Sequence, residues 1–307
     1  VTSIRNKSYW NYNNLNPKDP VALNLFTQKD LVEALEKAER RIKREKREKE
    51  KAKKTWSDFA SMENFTGVAA PKLVRFAGVL SDSRVLDVAC GTGVVALTAA
   101  RSGAKVTGAD LTPDLIARAN ENNKILGLDI DFHEADVEDL PFQNESFDIV
   151  LSQFGHMFAP RPNVAIKEML RVLRPGGTIA FSSWPPELFM GQFFQINAKY
   201  GPPLPDGAAA PVQWGSVETI KERLQNLVHD LTFDRDKLEM PGLSVAHIRA
   251  NFEKGAGPLK RMVEAFAEEP EKLSSLRNEI DEAISEYFED NLLRMDFLMA
   301  KGKKFNE

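Results

Sequence analysis

Between residues 84 and 184, short apolar segments of β type alternate with helical segments, and this alternation constrains the fold more than any other feature of the sequence. Residues 84–89 have the composition of a buried strand, and a glycine-rich turn follows them. Strands that alternate with helices of this length form a parallel sheet covered on both faces, and right-handed crossovers make that sheet doubly wound. We expect the next strands at 105–110, 130–135, 147–152 and 178–184, and helices at 93–103, 113–126 and 163–173.

The alternation stops after residue 184. Residues 185–214 hold six prolines and five aromatic residues, which predicts either a semi-rigid apolar lid or an aromatic subdomain core. Further on, strands around 229–233 and 295–300 bring the predicted sheet to seven strands, and helical patterns recur within 216–227 and 243–290. We therefore predict an N-terminal arm and basic helix over 1–55, followed by one α/β domain over 56–307.

The charge of the chain is divided unevenly. Residues 37–54 hold eleven Lys or Arg and four Glu, which gives +7, so the formal net charge of −4 leaves −11 for the remainder. An apolar stripe predicts a helix that begins near Thr27 or Asp30 and runs to about Lys54; its members are Leu31, Val32, Leu35, Ala38 and Ile42. Beyond the stripe we interpret the segment as a solvated charged helix, with anionic lipid or nucleic acid as alternative partners.

Composition also limits the cellular compartment that we expect and the kinds of disulfide or metal site that the chain can form. A single cysteine and four histidines argue against a disulfide framework or a thiolate zinc site, and we predict no metal. No apolar stretch is long enough to span a bilayer, and the first fifteen residues lack the apolar segment of a secretory signal. We expect a cytoplasmic protein, with peripheral membrane contact through residues 37–54 as an option.

The glycine-rich turn indicates what kind of ligand the sheet binds. Residues 91–96 fit the G-x-G-x-x-A pattern of nucleotide sites, but Asp87 lies four positions before Gly91. A carboxylate at that strand end would oppose a pyrophosphate bound at the following helix N-terminus. The pattern therefore favours a ligand that carries positive charge and no phosphate at this point.

The segment VLDVACGTG at 85–93 resembles the first motif of class I S-adenosylmethionine-dependent methyltransferases. The later segments GADLTP (108–113), EADVEDLPF (134–142), SFDIV (146–150) and LRPGG (173–177) resemble the later motifs in the same order. The resemblance implies a mostly parallel seven-stranded Rossmann-like sheet with a lid after the fifth strand. It does not cover residues 1–54, where the sequence pattern itself predicts the N-terminal helical extension. It also implies S-adenosyl-L-methionine as the cofactor. Within this family, the segments of the chain are most similar to those of quinone-ring and phospholipid methyltransferases.

The resemblance assigns cofactor-binding roles residue by residue. It implies that Asp110 accepts from the ribose hydroxyls, that Leu111 packs on adenine, and that Asp136 and Val137 meet the adenine edge. Ala89 departs from the family pattern, which has glycine there, and we interpret Cys90 as a small structural residue. The full predicted set is Asp87, Ala89, Cys90, Gly91, Thr92, Gly93, Asp110, Leu111, Asp136, Val137, Ser152 and Gln153.

We expect in-line methyl transfer to a small, apolar or amphipathic acceptor. His156 is the predicted catalytic residue, as a proton relay near neutral pH, with a structural role as the alternative. A nucleic-acid acceptor is disfavoured for two reasons. Residues 152–155 read SQFG, where nucleic-acid methyltransferases that act on exocyclic amines have a (D/N/S)PP(Y/F) loop. The chain outside the basic helix is also acidic, whereas a nucleic-acid-binding face is basic. Two alternatives stay open: a lipid or quinone methyltransferase held at a membrane by the basic helix, and a methyltransferase-like binding protein without turnover.

Overall fold

The computed structural model describes residues 28–204 and 208–306. Contacts within the chain divide it into two units between Ala52 and Lys53. In the first unit the described residues belong to helix α1 (Gln28–Trp56), which is mostly exposed and carries ion pairs such as Arg40–Glu36 and Arg41–Glu45. Thr27, one of the two predicted first residues of this helix, lies outside the described residues, and the predicted domain boundary after residue 55 stays a prediction.

The second unit is built on one sheet whose strand order is β3-β2-β1-β4-β5-β8-β6, with β7 paired to β8. Strands β1 to β5 are parallel, and β8 runs antiparallel between β5 and β6. This confirms the doubly wound, mostly parallel sheet and adds a two-residue eighth strand. The strands are β1 Arg84–Val88, β2 Lys105–Asp110, β3 Asp131–Glu134, β4 Phe147–Gln153, β5 Leu173–Ser183, β6 Val228–Pro241, β7 Phe288–Glu289 and β8 Leu292–Lys304.

Helices cover both faces of the sheet. Val85, Leu86 and Val88 of β1 have no exposed surface, and because the adjacent residues Val85 and Leu86 point to opposite faces, the strand must be packed on both sides. The helices after α1 are α2 Glu63–Gly67, α3 Ala70–Ala77, α4 Val94–Arg101, α5 Pro113–Leu126, α6 Pro162–Val172, α7 Phe189–Tyr200, α8 Val217–Leu224, α9 Val245–Gly255, α10 Gly257–Ala265 and α11 Pro270–Ser285. Single 3-10 segments occupy Ser57–Met62, His156–Phe158 and Pro211–Gly215.

Two strands are longer than the sequence predicts. Strand β5 begins at Leu173, before the predicted start at 178, and includes the Pro-Gly-Gly sequence, because Leu173 pairs with Phe147 before a register shift. Strand β6 extends to Pro241 because it pairs with β8 along most of its length, although its sequence there is highly charged. Backbone pairing at an edge strand tolerates polar side chains on the exposed face.

The predicted lid segment packs as the core of a helical subdomain. Phe189 and Phe193 on α7 are buried, and the ring of Phe193 lies 5.1 Å from that of Phe252 on α9. Phe189 also packs near Tyr287, which follows α11. The structure therefore favours the aromatic-core interpretation of this segment. Within the described ranges, no helix combines the length and the apolar character needed to cross a membrane.

Candidate active site

The turn between β1 and α4 brings backbone groups together at the carboxyl end of the sheet. Ala89, Gly91 and Gly93 all have positive φ, at 51°, 56° and 82°. A Cβ at Gly93 would lie 2.8 Å from the ring of Phe132, so this position requires glycine for space as well as for its backbone conformation. The Cys90 amide donates to Ala109 O at 3.0 Å and ties the turn to β2.

Asp87 is a buried carboxyl at the end of β1 with two oxygens in different situations. Its Oδ2 accepts from the amide of Ala96 at 2.9 Å, whereas Oδ1 is buried and has no hydrogen-bond partner among the described residues. Burial, together with the nearby charge of Asp110, raises the pKa of Asp87 to about 8. A positively charged ligand group at Oδ1 would reverse this shift, because it favours the carboxylate.

Asp110 fixes the glycine turn to the end of β2. Its Oδ2 accepts from the amide of Gly91 at 2.8 Å, and its Oδ1 accepts from the amide of Thr112 at 2.8 Å. Burial raises the pKa of this carboxyl, against the lowering effect of the two amides. Each carboxylate oxygen has a second lone-pair direction, so Asp110 can accept two further hydrogen bonds from a pair of hydroxyls. Leu111 follows it and is partly exposed.

The loop after β3 contains Asp136 and Val137, which are both partly exposed. Asp136 Oδ1 accepts from the amide of Glu138 at 2.9 Å, and Asp136 O accepts from the amide of Asp139. Glu138 is buried and holds Arg161 through a 2.7 Å ion pair. These contacts fix the loop beside the end of β2, where Ala135 donates to Asp110 O.

Ser152 and Gln153 end β4 and face β1. The hydroxyl of Ser152 donates to Val88 O at 2.8 Å and accepts from the His156 amide at 3.1 Å. The Gln153 amide nitrogen donates to Thr66 O on α2 at 2.8 Å, while its Oε1 is buried and has no partner in the described part of the chain. The Ser152 hydroxyl therefore makes its hydrogen bonds within the fold, whereas Gln153 Oε1 is a buried acceptor that could bind a ligand.

His156 is not placed as the sequence analysis expects of a proton relay. Its side chain is fully buried, and its ring lies 4.6 Å from that of Phe181 and 4.7 Å from that of Trp214. Burial, with a smaller contribution from Arg223, lowers the pKa of His156 to about 3. The imidazole is therefore neutral at physiological pH, and its catalytic role stays a prediction that requires access this conformation does not give.

Cys90 behaves as the structural residue that we expected. Its side chain is 6% exposed, and burial raises the pKa of the thiol well above its ordinary value. The neighbouring charges of Asp87 and Asp110 act in the same direction. A thiol that stays protonated is a poor nucleophile, and this argues against covalent chemistry at Cys90.

Aromatic residues from several elements meet beyond the end of β4. The ring of Trp56 lies 4.5 Å from that of Phe158, and Phe158 lies 5.8 Å from Phe194 on α7. Composition and periodicity gave no signal for Phe158 or Arg223 as site residues, because their neighbours come from distant segments. Arg223 on α8 stacks on Trp214, with its Cζ 4.7 Å from the ring centroid.

Two family matches cover different parts of the chain. Residues 86–181 match the family described as a methyltransferase domain, and this span runs from within β1 to within β5 and contains His156 and every predicted cofactor residue. Residues 1–40 match the family of the transcriptional cell cycle regulator TrcR. The second match covers too little of the chain to assign the whole protein to that family.

Two sequence relatives and one solved structure are similar to different lengths of the chain. The uncharacterized protein Rv1403c of Mycobacterium tuberculosis is 36% identical over 256 residues, covering 82% of this chain and 93% of the relative. The ubiquinone/menaquinone biosynthesis C-methyltransferase UbiE of Bdellovibrio bacteriovorus is 40% identical over 111 residues, covering 35% of this chain and 47% of that protein. The crystal structure of YcgJ from Bacillus subtilis shares the fold at 18% identity with a TM-score of 0.54, covering 78% of this chain and 99% of that chain.

The site residues fit the cofactor of this family. S-adenosylmethionine carries an ammonium group, a sulfonium and two vicinal hydroxyls, and no phosphate. Asp87 Oδ1 and Gln153 Oε1 are buried acceptors without partners among the described residues, which suits a cationic group, and Asp110 retains capacity for two hydroxyls. The family match, the sheet topology and this donor and acceptor set agree: the chain belongs to the class I S-adenosylmethionine-dependent methyltransferases.

Proposed function

We propose that this methyltransferase acts on a small, apolar or amphipathic acceptor that lies against the aromatic residues beyond the end of β4. The observation that carries the proposal is the contact series from Trp56 through Phe158 to Phe194, which joins three separate elements. An aromatic surface of this kind favours a ring or an alkyl chain over a strongly hydrated substrate. The similarity to UbiE, whose name assigns it to quinone biosynthesis, supports an apolar ring.

The cofactor-binding roles of individual residues are also proposals. We infer that Asp87 and Gln153 accept from the ammonium end and that Asp110 accepts from the ribose hydroxyls. The backbone of residues 89–93 would approach the cofactor closely, Leu111 would pack on adenine, and Asp136 with Val137 would meet the adenine edge. Ser152 would contribute through its backbone, since its hydroxyl already has two partners.

The cofactor, when bound, supplies a methyl group on a sulfonium that is already reactive. What the protein adds is alignment and the exclusion of water, both of which the buried carboxyls and the aromatic residues can provide. A general base is needed only for an acceptor that must lose a proton. The buried, neutral His156 is therefore a poor candidate for that base in this conformation.

Isothermal titration with S-adenosylmethionine tests the cofactor site. The variant Asp110→Ala should bind at least about tenfold more weakly, because it loses hydrogen bonds to a charged acceptor worth about 1.5–3 kcal/mol each. Asp114→Ala removes the same charge from the exposed first turn of α5 and should leave the affinity within about twofold. Equal affinities for the two variants would contradict the assignment of Asp110, and no binding by the wild-type protein would contradict the function.

A second candidate function is favoured by the surface of α1. Val32, Leu35 and Ile42 are 50%, 64% and 64% exposed, beside the basic residues of 37–54. Such a helix supports peripheral binding to anionic lipid and a lipid or quinone acceptor. Co-sedimentation with anionic vesicles at low and high salt tests this, since electrostatic binding should release as salt rises. Salt-sensitive binding of duplex DNA without vesicle binding would instead contradict the lipid alternative and support nucleic acid as the partner of the basic residues.

A further inference from the structure

Four polar side chains, three of them buried, meet near the carboxyl ends of β4 and β5. We define this donor cluster as His156, Ser183, Trp214 and Arg223. The His156 and Trp214 ring centroids are 4.7 Å apart, and Arg223 Cζ lies 4.7 Å from the centroid of the Trp214 ring. Ser183 Oγ is 3.5 Å from His156 Nε2. Four separate elements therefore bring polar groups into one apolar region of the molecule.

Three nitrogen atoms of the donor cluster are buried without a hydrogen-bond partner among the described residues. They are His156 Nδ1, Trp214 Nε1 and Arg223 Nη1. Most buried polar atoms in proteins are paired, because leaving one unpaired costs about 1–3 kcal/mol. The indole and guanidinium nitrogens can only donate, and imidazole can donate from Nδ1 in one tautomer. What this cluster requires is therefore a group rich in acceptor atoms.

The positive charge of the donor cluster has no ion-pair partner among the described residues. Arg223 Nη2 instead donates to the neutral Gln213 side chain at 2.7 Å. Burial lowers the pKa of the Arg223 guanidinium, against the raising effect of the charge of Glu222. Because Arg223 is partly buried and forms no ion pair there, an acceptor with negative charge would stabilise the cluster more than a neutral one.

An open groove lies beside the hydrogen-bond partner of Arg223. Gln213, which accepts from Arg223, also lines this groove, whose volume is about 380 Å³. The other groove residues are Arg161, Pro162, Asn163, Ala208 and Ala209. A ligand in this groove would therefore contact the residue that positions Arg223.

We propose that the donor cluster binds the carboxylate of the methyl acceptor. A planar carboxylate can accept from guanidinium and indole N–H groups at the same time, and it neutralises Arg223. The aromatic rings of Phe181 and Trp214 beside His156 favour a carboxylate attached to an apolar body. This proposal rests on the proposed function, because it narrows the acceptor class to apolar carboxylic acids, and Arg223 becomes the residue that determines this specificity.

The test uses the full chain saturated with S-adenosylmethionine, with benzoate as the probe and benzyl alcohol as the uncharged counterpart. Benzoate should bind by isothermal titration and should shift the Trp214 indole N–H resonance in ¹⁵N spectra, assigned with Trp214→Phe. Benzyl alcohol should bind at least tenfold more weakly. Equal binding of the two probes would overturn the proposal, as would a crystal structure with benzoate in which only ordered water contacts the three nitrogens.

Substitutions distinguish binding of benzoate at the donor cluster from a general attraction of benzoate to positive charge. Arg223→Gln should lower benzoate affinity at least tenfold, and Arg223→Lys should restore part of it. Lys221→Gln removes the same charge from an exposed position of the same helix and should change the affinity by less than twofold. Equal effects of Arg223→Gln and Lys221→Gln would overturn the proposal. Failure of S-adenosylmethionine itself to bind would contradict the proposed function instead, so the two failures are distinguishable.

Discussion

The buried carboxyl of Asp87 destabilises the folded protein when no ligand is bound to it. Asp87 is almost fully buried, and one of its oxygens has no partner among the described residues. Its pKa is raised to about 8, so much of the cofactor-free protein carries a neutral acid there at pH 7. Such strain is expected where a site is arranged for a cation that is not part of the chain.

This predicts a pH-dependent stability. The unfolded state releases the Asp87 proton near pH 4 and the folded state near pH 8, so the folded state binds more protons between these values. The free energy of unfolding of the wild-type protein should then fall with rising pH by up to about 1.4 kcal/mol per unit, relative to Asp87→Asn. Urea unfolding from pH 5 to 8 measures this. Parallel profiles for the two proteins would contradict it, and saturating cofactor should reduce the slope.

The glycine turn could be recognised from sequence, but its strain could not. The motif identifies Gly91 and Gly93, whereas Ala89 adopts a φ of 51° that costs about 1–2 kcal/mol for a residue with a Cβ. The Ala89 methyl lies 2.5 Å from where a Cβ of Gly155 would stand, so Gly155 accommodates the departure of Ala89 from the family pattern. Gly155 lies 66 positions later in the chain, and one sequence gives no sign of this dependence.

Among the secondary-structure elements, those with apolar periodicity were predicted well. The parallel strands β1, β2 and β4 are mostly buried on both faces, and local composition reveals them because apolar and small residues predominate in each. Strand β6 was predicted too short because its second half reads as alternating charge, and its β structure depends on pairing with β8. The burial of His156 was missed for a similar reason, since the residues that cover it, Phe181 and Trp214, come from distant segments.

Helix α8 provides a prediction at the scale of one element. Ser216 caps it, and its hydroxyl accepts from the amide of Thr219 at 3.3 Å. Ser216→Ala should lower the free energy of unfolding by about 1 kcal/mol, since it leaves an amide of the first turn unpaired. Ser275→Ala in the exposed middle of α11 is the control and should change it by less than about 0.5 kcal/mol. Equal effects in urea unfolding would contradict the capping role.

For the whole molecule, the uneven charge now has a partial explanation. The acidic remainder of the sequence includes Asp87 and Asp110, which lie buried at a site suited to a cationic cofactor. The basic residues of 37–54 lie on a helix whose first part matches a different family from the catalytic domain. Composition revealed the division of charge, and the two family matches fall on different parts of the chain.

The two units predict where the chain can be cut. A protein containing residues 53–307 keeps the whole second unit and should retain its thermal midpoint within about 2 °C and its cofactor affinity within about twofold. A protein that begins at residue 58 also loses Trp56, whose ring packs 4.5 Å from Phe158, and should lose at least about 1.5 kcal/mol of unfolding free energy. Thermal and urea unfolding of both truncations, compared with the full chain, measure the difference. Equal stability of the two truncations would mean that Trp56 is not part of the catalytic domain, and failure of 53–307 to fold would mean that the first unit is required for the second.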